Sequence, residues 1–130
     1  MPTVTYLKRQ PVMCVEQGVT DLFVKLTVGA TGAVSAVSGY GVSGIARNST
    51  GNYTITLDRK YKKLLCVNDV LVQATPQGIR PTVKADGVSS AGTIQVEFNT
   101  GAGVATELTS GTIALFKISV GDTALSGGVA

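Results

Sequence analysis

At 130 residues the chain has room for one domain and one core, and its 44% hydrophobic content and mean hydropathy of +0.29 exclude a chain disordered throughout. Charged residues are only 15%, against about 25% in typical soluble domains, so Thr, Ser, Gly, Ala and Asn must cover much of the surface, which implies that part of it is buried in an assembly. The net charge is only +3, and no histidine is present, so the commonest general base and metal ligand is missing and Ser-His and Cys-His nucleophile pairs are excluded.

The chain opens with MPTVTYLKRQPVMC, which is weakly patterned and carries two prolines. Lys8 and Arg9 follow the first apolar residues rather than precede them, and there is no long apolar stretch, so this is not a signal peptide. It reads as an arm or edge strand over 1–17, made in a cytoplasm. No run approaches the roughly 18 apolar residues of a membrane span, and no membrane partner is expected.

From there strand signals dominate, and no window keeps helical apolar spacing over the length a helix needs. Leu22 to Val28 alternates, with Leu22, Val24, Leu26 and Val28 on one face and Phe23, Lys25 and Thr27 on the other, before a turn at Gly29–Gly32. A strand resumes at Ala33–Val37. Gly44–Arg47, the turn Asn48-Ser49-Thr50-Gly51 and the return strand Asn52–Leu57 form a hairpin, with Tyr53, Ile55 and Leu57 on its apolar side. The sequons at Asn48 and Asn52 count as turn chemistry.

Asp58 to Lys63 is a charged corner, with the length of one helical turn. Leu64 to Ala74 is nearly all apolar apart from Asn68-Asp69, the pattern of a central strand broken by a turn or bulge. Thr75-Pro76-Gln77-Gly78 and Pro81 mark a loop. Thr93 to Phe98 alternates, Asn99–Gly103 is a Gly-rich loop and Thr112–Val120 is a last long strand. Seven to nine antiparallel strands at this spacing predict an all-β, jelly-roll-like sandwich over 18–122, followed by a small flexible tail over 123–130. Cys14 and Cys66 lie among apolar neighbours, without CxxC spacing, and are expected to be buried, reduced core residues.

The motifs that suggest chemistry are weak in context. Gly39-Tyr40-Gly41-Val42-Ser43-Gly44 spells G-x-G-x-x-G, but a strand and an NSTG turn follow it instead of a helix. Asp86-Gly87 is a turn dipeptide without the flanking oxygens of a calcium loop. No carboxylate pair has an aromatic platform for sugar, and tryptophan is absent. The basic residues cluster at Lys8-Arg9 and at Arg59, Lys60, Lys62 and Lys63, the latter with Tyr61 as its only aromatic, which fits a solvated strand end or a rim contact to an acidic partner better than a nucleic-acid face. No enzyme activity, cofactor or metal is expected.

The run GYGVSGIARNSTGNYTITLDRKYKKLL, with the later GTIQVEFNTGAG and GTIALFKISV, resembles the small all-β cement or decoration proteins of tailed-bacteriophage capsids over about residues 37–120. The resemblance implies a virion protein on the outer capsid surface that bridges major capsid protein subunits, itself a homotrimer or dimer, with no catalytic residues. Tail and receptor-binding β modules use similar hairpins and are the alternative. On this reading Tyr6, Lys8 and Arg9 of the arm, with Arg59, Lys60, Lys62 and Lys63, are the expected capsid contacts.

Overall fold

A computed structural model describes residues 18–122; the arm with Tyr6, Lys8, Arg9 and Cys14, and the tail over 123–130, lie outside the described residues. Eight strands follow one another: β1 (Val19–Val28), β2 (Val34–Gly39), β3 (Val42–Ser49), β4 (Asn52–Leu57), β5 (Lys63–Val72), β6 (Arg80–Gly87), β7 (Thr93–Asn99) and β8 (Ile113–Gly121). They form two four-stranded antiparallel sheets, β2-β1-β8-β5 and β3-β4-β7-β6. The expected all-β sandwich is what the chain builds.

The period-2 alternation read in the sequence sets the core. Leu22, Val24, Leu26 and Val28 of β1 and Ala114, Phe116, Ile118 and Val120 of β8 face Tyr53, Ile55 and Leu57 of β4 and Ile94, Val96 and Phe98 of β7, all buried. Each such large side chain contributes about 1.5–3 kcal/mol by leaving water. The four strands that alternate most regularly are thus the two central pairs.

The NSTG turn is held by more than its own chemistry. Gly51 has φ +65° and sits against the next loop: its amide donates to Glu107 Oε1 at 2.9 Å, and its carbonyl accepts from the Phe98 amide at 2.8 Å. Arg47 donates to both oxygens of Glu107. Burial alone would push the Glu107 carboxyl up, but the bonds from Arg47 and the Gly51 amide hold it below the usual range. Two residues on, the buried Tyr53 hydroxyl donates to the carbonyl of Gly32, in the turn after β1, and burial, with the Glu107 charge, pushes its pKa up. Asn48, the first sequon residue, spans the turn by donating to Asn52 Oδ1 at 3.2 Å and Thr54 Oγ1 at 2.6 Å.

Several expectations are corrected. Leu64–Ala74 does not give a central strand: β5 is the outer strand of its sheet and runs unbroken through Asn68-Asp69, with its irregularity at Leu64/Cys66 instead. That bulge takes up Leu65 and turns Cys66 to the outer face opposite Ser119, so Cys66 is exposed rather than a core residue. The corner at Asp58–Lys63 contains no helical turn. Pro81, read as loop, lies in β6, a sheet-edge strand, where its missing N–H costs no ladder bond.

The sandwich is closed at its centre and loose at the β5/β6 margin. Val83 of β6 pairs with the fully buried Val96 yet remains 39% exposed. Opposite, Asp69 of β5 pairs with Phe116 and so points inward, with both carboxylate oxygens out of contact with water and neither accepting a well-formed hydrogen bond. Burial, weakly opposed by the Val70 amide, raises its pKa from the ordinary carboxylate value to about 7.

Two measurements follow. A Cβ at Gly51 would run into the carbonyl oxygens of Thr106 and Phe98, both backbone, at a positive φ; Gly51→Ala should therefore destabilise the fold by about 3 kcal/mol or more in chemical denaturation. Because the folded pKa of Asp69 lies above its unfolded value of 3.8, its favourable contribution is complete below about pH 4, declines as pH rises towards about 7, and is absent above. Asp69→Asn removes this titration, so stability relative to the parent should rise between pH 4 and pH 8 by up to about 3–4 kcal/mol; parallel denaturation curves at the two pH values would show no such difference if Asp69 ionised freely.

Candidate docking surface

The outward side of the β2-β1-β8-β5 sheet carries the residues that the core does not use. Across the strands the register sets Phe23 beside Lys117 and Asn68, Lys25 beside Leu115 and Val70, and Thr27 beside Ile113 and Val72. Phe23 and Leu115 are diagonal neighbours, Leu115 faces Val70 directly, and Val72 follows on the same side of β5, so the apolar positions join into one oblique stripe. Tyr40, at the β2–β3 turn, extends it over β2: Phe23, Lys25, Ser38, Tyr40 and Leu115 line a shallow open hollow of about 820 Å³. Phe23 is 62%, Val70 63%, Leu115 42%, Val72 49% and Tyr40 92% exposed. Lys25 and Lys117 stand among them, and Asp21, 4.0 Å from Lys117, is the acidic residue nearby.

Apolar side chains scattered singly on a surface need no explanation, whereas a contiguous stripe crossing a whole sheet is the mark of a contact face. Sequence reasoning missed it. Its signal was present in β5 and β8, where Val70, Val72, Ile113 and Leu115 are apolar on the positions that alternate out of the core.

The predicted basic corner is placed at the end of the sandwich where β4 leaves one sheet and β5 begins the other. Arg59 spans Tyr61, with its guanidinium 4.2 Å from the ring centroid, and pairs with Asp122 at 2.7 Å. That hydrogen bond holds the Asp122 carboxyl below its ordinary pKa. Tyr61 itself belongs to the core, Lys60 and Lys62 are exposed, and Lys63 starts β5 partly buried beside Gly121. At the same end the amide of Asp122 donates to the carbonyl of Gly18 at 2.9 Å. The segment that carries Tyr6, Lys8 and Arg9 therefore joins the domain next to the Arg59–Lys63 corner, although those three residues lie outside the described part.

The remaining carboxylates among the described residues are engaged in structural roles. Asp58 accepts from Ser43, Asp86 caps the Val88 amide, Glu97 bonds Asn99 and Lys84, and Asp21 accepts from Ser119. Among the described residues no three His, Cys, Asp or Glu side chains gather as metal ligands, and no helix is long and apolar enough to cross a membrane. The G-x-G-x-x-G stretch is the β2–β3 turn and the start of β3. A second hollow, of about 550 Å³, is lined by Gln73, Gln77, Thr109 and Thr112, whose side chains hydrogen-bond to one another.

Comparison with protein families, with characterised proteins and with solved structures gave no match to this chain.

Since the Arg59–Asp122 pair is exposed, it should matter little to the fold. Arg59→Ala is expected to lower the melting temperature slightly at low salt, by an amount that shrinks at high salt, and Lys60→Ala or Lys62→Ala to leave it unchanged; a large, salt-independent loss for any of the three would make the corner a structural element instead of a free rim.

Proposed function

We propose that this chain is a structural docking protein whose working surface is the outer face of the β2-β1-β8-β5 sheet, and that it decorates the outside of a bacteriophage head. The observation that carries the docking role is the apolar stripe from Tyr40 and Phe23 through Leu115 to Val70 and Val72. The resemblance of the GIARNSTGNYTITLD hairpin and its neighbours to capsid decoration proteins supplies the head as the surface to be docked on.

The physics suits a repeated, non-catalytic contact. A sheet face with a few apolar anchors and lysines among them offers area and shape, with the cations setting orientation. A standard protein contact buries about 1,600 Å² in total. Hundreds of copies on a shell with closed symmetry need only modest affinity each, because every bridge between subunits adds to the same structure. The low charge of the chain is then a property of a protein that spends its life largely covered.

The test is composition. In purified particles, quantitative mass spectrometry should find this chain at a simple ratio to the major capsid protein; a far smaller ratio places it in the tail, and absence refutes the reading. The single substitution Val70→Asp, at a position 63% exposed, should remove the protein from particles while its melting temperature changes little.

A further inference from the structure

The hollow beside β2 carries donor groups as well as apolar surface, and the two together describe what it receives. We infer, resting on the docking role proposed for this face, that the hollow takes an acidic segment of a partner protein. A large apolar side chain of that segment lies against Phe23 and Leu115, and a neighbouring carboxylate is received by Lys25.

The register sets the donors. Lys25 of β1 pairs with Ser38 of β2 on one side and with Leu115 of β8 on the other, and Tyr40 follows two residues after Ser38 at the turn. An ammonium, a hydroxyl and a phenol thus stand around a floor made by Phe23 and Leu115, in a hollow of about 820 Å³. All three side chains are exposed, and among the described residues none of them has a hydrogen-bond or ion-pair partner. Lys25 differs in this from Lys117 on the same face, which has Asp21 4.0 Å away.

A partner that covers Phe23 and Leu115 also strips water from the Lys25 ammonium, and a buried cation without a counter-charge opposes binding. A carboxylate removes that penalty, because it is a pure acceptor that can take bonds from all three donors, and charge-assisted bonds are the stronger kind. A neutral apolar segment would leave the ammonium bare. A basic one would also meet Lys117, which lies diagonally across from Lys25 at about 7–8 Å.

The same charges disfavour the other occupants. The outward positions of this sheet carry Lys25, Lys117 and, at the foot of β5, Lys63, against Asp21, so two copies placed face to face would repel. Lipid surfaces are held by clusters of many cations, and single-stranded nucleic acid by stacked aromatics along a basic groove. Here the aliphatic Leu115, Val70 and Val72 continue the floor instead.

Short random peptides are selected on the immobilised full-length protein, and the winners are then measured against Lys25→Arg and Lys25→Glu, both at an exposed position. The expected winners place Asp or Glu close beside Phe, Leu, Trp or Met, and added salt weakens them. They should bind Lys25→Arg nearly as well as the parent and Lys25→Glu about tenfold more weakly or worse. Winners without acids, acidic winners indifferent to Lys25→Glu, or a library from which nothing is enriched would overturn the inference. So would tighter binding to phosphatidylglycerol vesicles or to oligothymidylate than to any peptide, or a dimer of the chain that Phe23→Asp dissociates. If Val70→Asp removes the protein from particles while Lys25→Glu stays on them as fully as the parent, the docking role stands and the acidic partner falls; retention of both variants removes the docking role itself.

Discussion

Tyr53 is the side chain on which the two sheets depend together. Its ring meets Phe98 edge to face, with centroids 5.8 Å apart, and Phe98 in turn leans on Phe116 of the opposite sheet at 6.3 Å. Its hydroxyl crosses the sandwich to the Gly32 carbonyl, in the turn that ends β1. A buried phenol without a partner would cost about 1–3 kcal/mol, so the ring can occupy the core only while that turn stays in place. The turn is held in the same way from the other side: a side chain on Gly32 would displace the Glu107 carboxylate, which also receives Arg47 and the Gly51 amide. Hairpin, turn and the loop before β8 therefore form one cooperative unit, and the Arg-x-x-Thr-Gly-x-Tyr spacing is its sequence record.

Away from that unit the packing loosens in a directed manner. Among the described residues no strand pairs with the far edges of the outer strands β5 and β6, and such edges invite pairing with other chains. β6 carries Pro81, Lys84 and a bulge between Val83 and Ala85, and β5 carries its own bulge and the inward carboxyl of Asp69. An inward charge on an edge strand penalises any arrangement that would bury it more deeply. The instability that Asp69 introduces near neutral pH is thus the counterpart of an edge that resists propagation, and contacts made by this domain are steered from its edges to its faces.

How much of this was legible in the sequence depends on the environment of each strand. β1, β4 and β7 lie centrally with one face in the core, so strict alternation revealed both their positions and their buried residues; Asn52–Leu57 appears with the same bounds in sequence and structure. β5 defeated the same reasoning because it is apolar on both sides, a pattern shared by strands buried on both faces and strands with a sticky outer face. β6 was hidden because its punctuation by Pro81 and Asp86-Gly87 is that of a loop, and an exposed edge tolerates it. The basic corner was legible as exposed charge, except for Tyr61 and Lys63, which packing drew inward. The strand order within the sheets, and with it the stripe, arises from pairings between residues as distant as Phe23 and Lys117, and no local pattern encodes them.

An exposed stripe of this kind favours a repeated partner over a single one. One contact through Phe23, Leu115, Val70 and Val72 offers only a modest area beside the roughly 1,600 Å² of a standard interface. A lattice of identical partners can engage the stripe and the Lys60 and Lys62 rim of many copies together, and linked contacts hold far more firmly than any one of them alone. A face of this build therefore distinguishes an ordered surface from a dispersed subunit by multiplicity, through contacts that are each weak.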